Sequence, residues 1–380
     1  MQEIELIATS TFGLESVVAQ EVKQLGYPNT TVENGKVMFK GDKLAICRAN
    51  LWLRSADRVR LKIGEFKAVT FDELFEKTKA LPWADWIPEN AEFPVEGKSV
   101  KSTLFSVSDC QAIVKKAVVE SLKQTYKKSW FDENGPLFKI EVALLKDVAT
   151  LTIDTTGPGL HKRGYRRLIS GAPLKETMAA AMIQLARWRP DIPLHDPFCG
   201  SGTIPIEAVL IGRNIAPGMN REFVAEVWPT IPKKLWQEAR RETHDLADYG
   251  RPLDIIGTDI DGDMIAIARE NAEEAMVEDA VSFKRLPVAA LKSDKSYGTL
   301  VCNPPYGERL LERKEVEKLY QTMGEVFTNL DKWSYYILTS YEQFEQFFGK
   351  KADKNRKLYN GNIKSYFYQY YGPRPPKDRS

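Results

Sequence analysis

The stretch that decides the fold begins after residue 191 and reads Ile192-Pro193-Leu194-His195-Asp196-Pro197-Phe198-Cys199-Gly200-Ser201-Gly202-Thr203. Apolar residues lead into an acid, a glycine-rich turn follows, and an apolar helical pattern runs from residue 204 to residue 211. A doubly wound α/β sheet uses this order of strand, turn and helix to present backbone N–H groups and the positive end of a helix to an anion. The segment therefore predicts a Rossmann-like sheet with an anion site at this turn.

The composition of the turn narrows the choice of anion. It contains one Gly-x-Gly and no Gly-x-x-x-x-Gly-Lys, so a phosphate site of the P-loop kind is not indicated. The alternative anion is the carboxylate of S-adenosylmethionine, with Asp196 placed to accept hydrogen bonds from the ammonium group of that cofactor. Taken alone, a single Gly-x-Gly also occurs in ordinary tight turns. The predicted cofactor contacts in this segment are Asp196, Pro197, Phe198, Cys199, Gly200, Ser201, Gly202 and Thr203.

A second apolar strand, residues 253–259, also ends in an acid. It reads Leu-Asp-Ile-Ile-Gly-Thr-Asp and leads into a helical pattern. In nucleotide-binding sheets an acid at the tip of the second strand binds the ribose diol. Asp259 is the first candidate for this role and Asp261 the second, and Ile260 between them is included in the predicted cofactor site. Asp261 and Asp263 also suit the N-cap of the following helix, so both interpretations remain open.

A third segment suits methyl transfer to an exocyclic amino group. It is the apolar strand around Val301, followed by Asn303-Pro304-Pro305-Tyr306. The amino nitrogen of a nucleobase is a poor nucleophile because its lone pair is delocalised into the ring, so a site must hold both N–H groups and turn the lone pair toward the electrophile. The Asn303 amide oxygen and the Pro304 carbonyl are suitable acceptors, and Tyr306 offers a face for stacking. The alternative interpretation is a Pro-Pro turn after a buried strand. The candidate catalytic residues are Asn303, Pro304, Pro305 and Tyr306, with Asn303 also assigned to the cofactor site.

These segments together resemble a known family. In chain order they are HKRGYR, APLKET, DPFCGSGT, APGMNREF with a Trp-containing insert, GTDID and NPPYG. The set is similar to the THUMP-containing, RlmL-type guanine-N2 RNA methyltransferases over most of the 380 residues. The resemblance implies S-adenosylmethionine as cofactor, N2-methylguanosine in 23S ribosomal RNA as product, and Pro173 and Glu176 beside the cofactor. The fold class it implies is a Rossmann-like class I methyltransferase sheet preceded by an α+β ferredoxin-like and THUMP region.

The chain departs from the family pattern at two points. Pro287 stands about where such enzymes often carry an acid near the adenine ring, so the residue that contacts the adenine is not identified by the resemblance. The longer RlmL proteins also carry a second methyltransferase domain, for which this sequence has no room.

The succession of strand and helix patterns predicts three domains. Before the turn-forming residues 156–159 the order of elements is that of an α+β region, and from Leu174 onward strands and helices alternate as in a mostly parallel sheet. Asn360-Gly361-Asn362 predicts a hairpin that closes this sheet. The predicted domains are a ferredoxin-like domain at 1–66, a THUMP RNA-binding domain at 67–156, and a methyltransferase domain at 157–380 with an insertion at about 213–252.

The cationic residues predict where nucleic acid binds. The net charge is only +2, so the chain as a whole is not basic. The helical pattern of residues 109–128 nevertheless carries a stripe of lysines, and the linker between domains has four cations close to Tyr165. A solvated helix face and a surface turn are the alternative interpretations. The predicted RNA-binding residues are Lys115, Lys116, Lys123, Lys127, His161, Lys162, Arg163 and Arg166.

Composition argues against several other classes of protein. There is no apolar run long enough to span a membrane and no basic N-terminal leader, which predicts a cytoplasmic protein. The four cysteines are scattered without a Cys-x-x-Cys, and only three histidines accompany them, so no metal site is expected. Cys199 and Cys302 are read as small apolar residues rather than as methylating nucleophiles.

The order of the segments favours RNA over DNA. A base must be unpaired or flipped before its amino group reaches a methyl donor, and sequence-specific RNA recognition usually targets unpaired regions. Little chain remains after Asn303 beyond the sheet itself, so substrate recognition is expected in the N-terminal 155 residues or the insertion. We therefore expect ribosomal RNA as the partner. The alternatives are a DNA adenine-N6 methyltransferase and a non-catalytic rRNA-binding assembly factor.

Overall fold

The computed structural model describes residues 3–166, 174–306, 310–361 and 363–375. They fall into two compact units. Within the described residues no helix is long and apolar enough to cross a membrane. Unit 1 comprises Met1–Ser10, Ala19–Leu160 and Arg221–Glu242, and unit 2 comprises Thr11–Val18, His161–Asn220 and Thr243–Ser380.

The chain from residue 4 to residue 154 builds a seven-stranded sheet and four helices. The strand order is β2-β3-β1-β4-β7-β6-β5. The long strand β4 pairs antiparallel with both β1 and β7, so one continuous sheet crosses the predicted boundary between residues 66 and 67. The elements are β1 (Ile4–Ser10), α1 (Glu15–Gln24), β2 (Thr30–Glu33), β3 (Lys36–Gly41), α2 (Lys43–Trp52), β4 (Ala56–Lys67), α3 (Phe71–Lys79), β5 (Val95–Val100), α4 (Val107–Tyr126), β6 (Ile140–Leu145) and β7 (Val148–Asp154).

Part of the predicted insertion belongs to unit 1. Residues 221–242 cluster with the N-terminal region. There the buried ring of Trp228 stacks on Phe138 with 4.2 Å between centroids, and its indole N–H donates to the Leu137 carbonyl at 3.0 Å. Stacking buries two large aromatic surfaces, and the hydrogen bond satisfies the one polar atom of the indole. Residues 221–242 of the predicted insertion are therefore a structural part of the α+β region, whereas its two ends belong to unit 2.

The second seven-stranded sheet lies in unit 2. Its order is β10-β9-β8-β11-β12-β14-β13. The first five strands are parallel, and β14 runs antiparallel to β12 and β13. This confirms the predicted Rossmann-like sheet and its closing hairpin. The elements from residue 176 onward are α5 (Glu176–Leu185), β8 (Leu194–Asp196), α6 (Thr203–Gly212), α7 (Lys233–Leu246), β9 (Ile255–Asp259), α8 (Gly262–Glu274), β10 (Ser282–Arg285), β11 (Thr299–Cys302), α9 (Leu310–Thr328), β12 (Ser334–Thr339), α10 (Phe344–Phe348), β13 (Lys354–Asn360) and β14 (Ile363–Tyr370).

Two apolar clusters cover the faces of this sheet. Val301 packs in one cluster, whereas its neighbours Leu300 and Cys302 pack in the other. Since successive side chains of a strand point to opposite faces, the strand is buried on both sides, which is why its sequence is continuously apolar. Leu14 and Val17 from residues 11–18 also belong to the first cluster. Packing on both faces holds β11 in place, and with it the start of the candidate segment at Asn303.

Candidate active site

The fold brings the first and third sequence motifs together at one edge of the unit 2 sheet. Strands β8 and β11 are parallel neighbours, with Leu194 opposite Thr299 and His195 opposite Leu300. From β8 the chain continues toward β9 on one side, while β11 and β12 lie on the other. Open α/β sheets bind ligands in the crevice beyond the strand ends at such a reversal of strand order. The segments that begin at Asp196 and at Asn303 both leave the sheet there.

The glycine-rich turn has the geometry that its sequence predicts. Gly200 has φ +49° and Gly202 has φ +85°, a region that favours glycine. A Cβ at Gly202 would lie 3.0 Å from the Phe283 ring, whereas a Cβ at Gly200 would point into open space. The Asn271 amide nitrogen donates to the Ser201 carbonyl at 2.9 Å, which fixes the turn from helix α8. Gly202 is thus required for close packing against Phe283, whereas Gly200 borders open space before the N-terminus of α6.

Asp196 is a buried carboxylate at this turn. Its residue is 1% exposed, and the described partner of the carboxylate is the Phe198 backbone N–H at 3.1 Å. Burial raises the pKa of Asp196 well above its ordinary value, and the negative charge of Asp259 raises it further. A carboxylate that is buried without a cation is costly to ionise. The site therefore favours a positively charged ligand beside Asp196.

The acids after β9 shape the same edge. The Asp259 carboxylate accepts from the Gly200 N–H and from the Asp261 N–H, each at 3.0 Å. Asp261 is the N-cap of α8 and accepts from the Asp263 N–H at 2.9 Å, which agrees with the alternative interpretation of that residue. Ile260 between them is 67% exposed. Asp259 thus joins the glycine turn to the tip of the second strand, and its ribose contact stays a prediction.

Asn303 carries an unsatisfied acceptor. Its side-chain oxygen is buried and has no hydrogen-bond partner among the described residues. Leaving a buried acceptor unpaired costs about 1–3 kcal/mol, so this atom is suited to a donor that arrives from outside the protein. Pro304 is buried, Pro305 is exposed and Tyr306 is half-buried. The turn therefore offers an acceptor and an aromatic ring within four residues of chain.

A buried hydrogen-bond chain holds this turn in place. The Tyr320 hydroxyl of α9 donates to the Pro305 carbonyl at 3.0 Å and lies 2.9 Å from the Thr339 hydroxyl. The Thr339 oxygen in turn accepts from the Tyr341 N–H at 3.1 Å. Burial raises the pKa of the Tyr320 hydroxyl, which keeps it a proton donor. Sequence reasoning missed Tyr320 because its pattern marks it only as an apolar position of a helix.

We expect Tyr320→Phe to lower kcat of methyl transfer up to about tenfold, because one net hydrogen bond contributes roughly 0.5–1.5 kcal/mol. The matched control is Tyr370→Phe, which removes another buried hydroxyl that donates to a carbonyl, that of Lys350, at 3.0 Å. Single-turnover kinetics with both variants measure the difference. Equal losses of rate, or a loss confined to thermal stability, would show that Tyr320 serves only the fold.

The structure contradicts the predicted phosphate contact of Arg163. The residue is 4% exposed, and its guanidinium pairs with Glu207, which is fully buried, at 3.3 Å. The Tyr165 hydroxyl also donates to Glu207 at 3.2 Å. A buried arginine committed to a buried carboxylate is not available to a nucleic acid. His161 is half-buried and Lys162 is exposed, and their RNA contacts stay predictions.

Arg166 and Glu176 form a second buried pair close to the glycine turn. Arg166 donates to the Thr203 hydroxyl at 2.5 Å and to the Leu174 carbonyl at 3.0 Å, and it lies 3.5 Å from the Glu176 carboxylate. These contacts engage the guanidinium within the protein, and the predicted RNA contact of Arg166 stays a prediction. Glu176 is 3% exposed, and one of its oxygens has no hydrogen-bond partner among the described residues. Pro173, predicted at the same site, lies outside the described residues.

Two of the four lysines in the predicted stripe pair with carboxylates. Lys115 pairs with Glu133 at 2.6 Å and lies over the Phe93 ring, and Lys123 pairs with Glu120 at 2.8 Å. These two lysines are therefore poorly suited to the predicted phosphate contacts, because a carboxylate already accompanies each charge. The other two predicted lysines, Lys116 and Lys127, are exposed.

Comparison with known proteins agrees with the fold and the motifs. Three family models match: the RlmL ferredoxin-like domain at residues 5–60, the THUMP domain at 68–154, and the RMKL-like methyltransferase domain at 163–369. The chain is 57% identical over 379 residues to the Bacillus subtilis (strain 168) protein named "Putative RNA methyltransferase YpsC", covering 99% of this chain and 98% of that protein.

Two solved structures are similar along nearly the whole chain. One, named a "predicted N6-adenine-specific DNA methylase" of Listeria monocytogenes str. 4b F2365, has 58% identity and a TM-score of 0.94, covering 98% of this chain and 97% of that one. The other is SMU.472, a "putative methyltransferase" in complex with SAH, with 50% identity and a TM-score of 0.94, covering 99% of this chain and 100% of that one. The chain therefore belongs to the family of THUMP-containing proteins that carry the RMKL-like methyltransferase domain.

Proposed function

We propose that the protein transfers a methyl group from S-adenosylmethionine to N2 of a guanine in 23S ribosomal RNA. The observation that carries the proposal is the side-chain oxygen of Asn303 at the reversal point of the unit 2 sheet, which is buried and has no hydrogen-bond partner among residues 3–166, 174–306, 310–361 and 363–375. An amino group that is held there can donate an N–H to this oxygen. The methyltransferase family and the SAH complex of SMU.472 support S-adenosylmethionine as the cofactor.

The described residues fit this cofactor. A buried carboxylate with a raised pKa, Asp196, suits an ammonium group. The N–H groups of the turn from Gly200 to Thr203 and the N-terminus of α6 suit a carboxylate. Asp259 would hold the ribose hydroxyls, with Glu176 nearby. When bound, S-adenosylmethionine supplies an electrophilic methyl group.

The base would be held by the Asn303 turn. The Asn303 oxygen and the Pro304 carbonyl would each accept one N–H of the exocyclic amino group, and Tyr306 would stack on the ring. Together the two acceptors would turn the nitrogen lone pair toward the methyl group, and the amino group would keep both of its protons until the methyl group is transferred. No strong base is needed, because the amine becomes acidic only once it is methylated and can lose its proton late. Orientation and proximity would then supply most of the rate enhancement.

RNA is favoured over DNA as the substrate. A THUMP domain covers residues 68–154, and the relative at 57% identity is named as an RNA methyltransferase. The Listeria structure is named as a DNA adenine methylase, and an Asn-Pro-Pro-Tyr segment is shared by enzymes that act on adenine N6. Methylation of adenine N6 in DNA is therefore the second candidate activity.

Nucleoside mass spectrometry separates these candidates. The protein is incubated with isotope-labelled S-adenosylmethionine and, in parallel, with unmodified 23S rRNA or duplex DNA. We expect labelled N2-methylguanosine from the RNA and no labelled nucleoside from the DNA. Labelled N6-methyladenine in DNA would overturn the proposal. A protein that neither binds S-adenosylmethionine nor forms a labelled product would instead match a non-catalytic rRNA-binding factor.

A further inference from the structure

The end of the unit 1 sheet at the turn between β6 and β7 carries a row of exposed apolar side chains. Val100 of β5 is opposite Leu145 of β6, and Leu145 is opposite Val148 of β7. Directly paired residues share one face of a sheet, so the three side chains are adjacent, and they are 50%, 50% and 37% exposed. Lys67 of β4 is opposite Val148 and extends the row. Four neighbouring strands span about 14 Å at the usual strand spacing.

Phe105 lies at the same end of the sheet and is 82% exposed. The loop before it is well anchored. The Leu104 carbonyl accepts from the Ser99 hydroxyl at 2.7 Å, and the Thr103 N–H donates to the Asp147 carboxylate at 2.6 Å. An aromatic ring presented to water on an anchored loop needs little ordering when a partner binds, so its position favours stacking with a ligand.

Three lysines surround these apolar groups. Lys67, Lys101 and Lys146 are exposed and make no ion pair with a described residue. The carboxylate closest to them in the chain, Asp147, accepts from the Thr103 N–H, and this hydrogen bond lowers its pKa more than the charge of Lys67 does. Lys101 and Lys146 have φ of +51°, a left-handed conformation that is unfavourable for a lysine. For Lys146 this conformation belongs to the tight turn between β6 and β7, where Asp147 has a φ of +65° as well.

We propose that this surface, the sheet-tip patch, binds single-stranded RNA of the substrate, with bases on Phe105 and the apolar row and phosphates on the lysines. The inference rests on the proposed function for its partner. Exposed aromatic and apolar groups beside unpaired cations suit unpaired nucleotides, since each base has a stacking face and each phosphate a negative charge. The patch is defined by Val100, Leu145, Val148 and Phe105 with Lys67, Lys101 and Lys146.

Filter binding of an unmodified 23S rRNA transcript to the full-length protein tests the patch. The triple variant Lys67→Gln/Lys101→Gln/Lys146→Gln is compared with the control Lys36→Gln/Lys98→Gln/Lys139→Gln. The control removes the same charge from unit 1 at lysines that pair with Glu33, Glu141 and Glu96. Because each contact to a single-strand phosphate releases about 0.7 counterion, the slope of log K against log salt should fall by about 2 for the patch variant only.

A single substitution tests the stacking. Phe105→Ala should weaken RNA binding by about tenfold, because stacking of a base on an aromatic side chain contributes roughly that factor or more. Unchanged melting temperature and S-adenosylmethionine affinity would show that the variants are folded. The proposal would be overturned if the patch and control triple variants changed the RNA affinity equally. It would also be overturned if the patch variant kept its RNA affinity but lost binding to a ribosomal protein. Normal N2-methylguanosine formation by every variant would overturn the patch and leave the proposed function intact, whereas a wild-type protein that binds no RNA would overturn both.

Discussion

Replacing Asn303 with alanine is expected to lower kcat of methyl transfer by about 1000-fold, the upper range for loss of one preorganised polar group. The Asn303 oxygen is buried and has no hydrogen-bond partner in the described part of the chain, so the substitution removes no hydrogen bond that the structure describes. Its removal should leave the melting temperature unchanged or slightly raised, since an unsatisfied polar atom is destabilising. Single-turnover kinetics, calorimetric binding of S-adenosylmethionine and thermal unfolding measure the three quantities.

The control for this prediction is Asn303→Asp, which keeps an acceptor at the same place. We expect Asn303→Asp to retain more activity than Asn303→Ala, because a carboxylate oxygen can still accept an N–H from the base. The contrary result would be parallel loss of transfer, cofactor binding and thermal stability in Asn303→Ala. In that case Asn303 would be needed for the fold rather than for positioning the base.

Replacing Asp196 with asparagine should weaken S-adenosylmethionine binding by about 100-fold at pH 8, because hydrogen bonds to charged groups contribute about 1.5–3 kcal/mol. The side chain has nearly the same shape, but it no longer balances an ammonium group. Titration calorimetry measures the dissociation constant. An affinity within threefold of wild type would show that the ammonium binds elsewhere. Asp261→Asn is the control, since that exposed residue caps α8 and should change the affinity much less.

The raised pKa of Asp196 gives this prediction a pH dependence. A carboxyl group whose pKa is raised by burial is protonated at low pH, where its proton competes with the ammonium group. Affinity for S-adenosylmethionine should therefore rise with pH in the wild type and vary less in Asp196→Asn. The ligand-free wild type should lose stability as pH rises through the raised pKa, because the ionised group is buried without a cation. Melting temperatures measured at a series of pH values above the ordinary pKa of an aspartate test whether the stability falls as the pH rises.

The sequence predicted the positions of the motifs because their signals are local. A glycine turn after Asp196 and a proline turn after Asn303 mark strand ends, and parallel strands place such ends at one edge of the sheet. The predicted cofactor site, which includes both Asp196 and Asn303, already requires these two turns to meet. The Asp261 cap likewise follows from residues within one turn of helix.

The features that sequence reasoning missed depend on distant contacts. In the sequence Arg163 has the pattern of a surface cation, but in the structure it is buried and pairs with Glu207, which is 44 residues away in the chain. Tyr320 contacts Pro305 across 15 residues, and neither residue carries a local signal for the other. The sheet-tip patch arises from the register of strands that are far apart in the chain. Charge patterns along a sequence do not reveal which cations already have partners.

The interleaved path of the chain has a consequence for biosynthesis. Unit 1 includes residues up to 242, and unit 2 takes Leu14 and Val17 into its core together with residues near the end of the chain. When only the first 160 residues have left the ribosome, neither unit can fold completely, because both units include later residues. At about 5–20 residues per second, translation from residue 161 to residue 242 takes roughly 4 to 16 seconds, and unit 1 lacks its last segment during that time. The nascent N-terminal region must therefore wait with the stacking of Trp228 on Phe138 unmade.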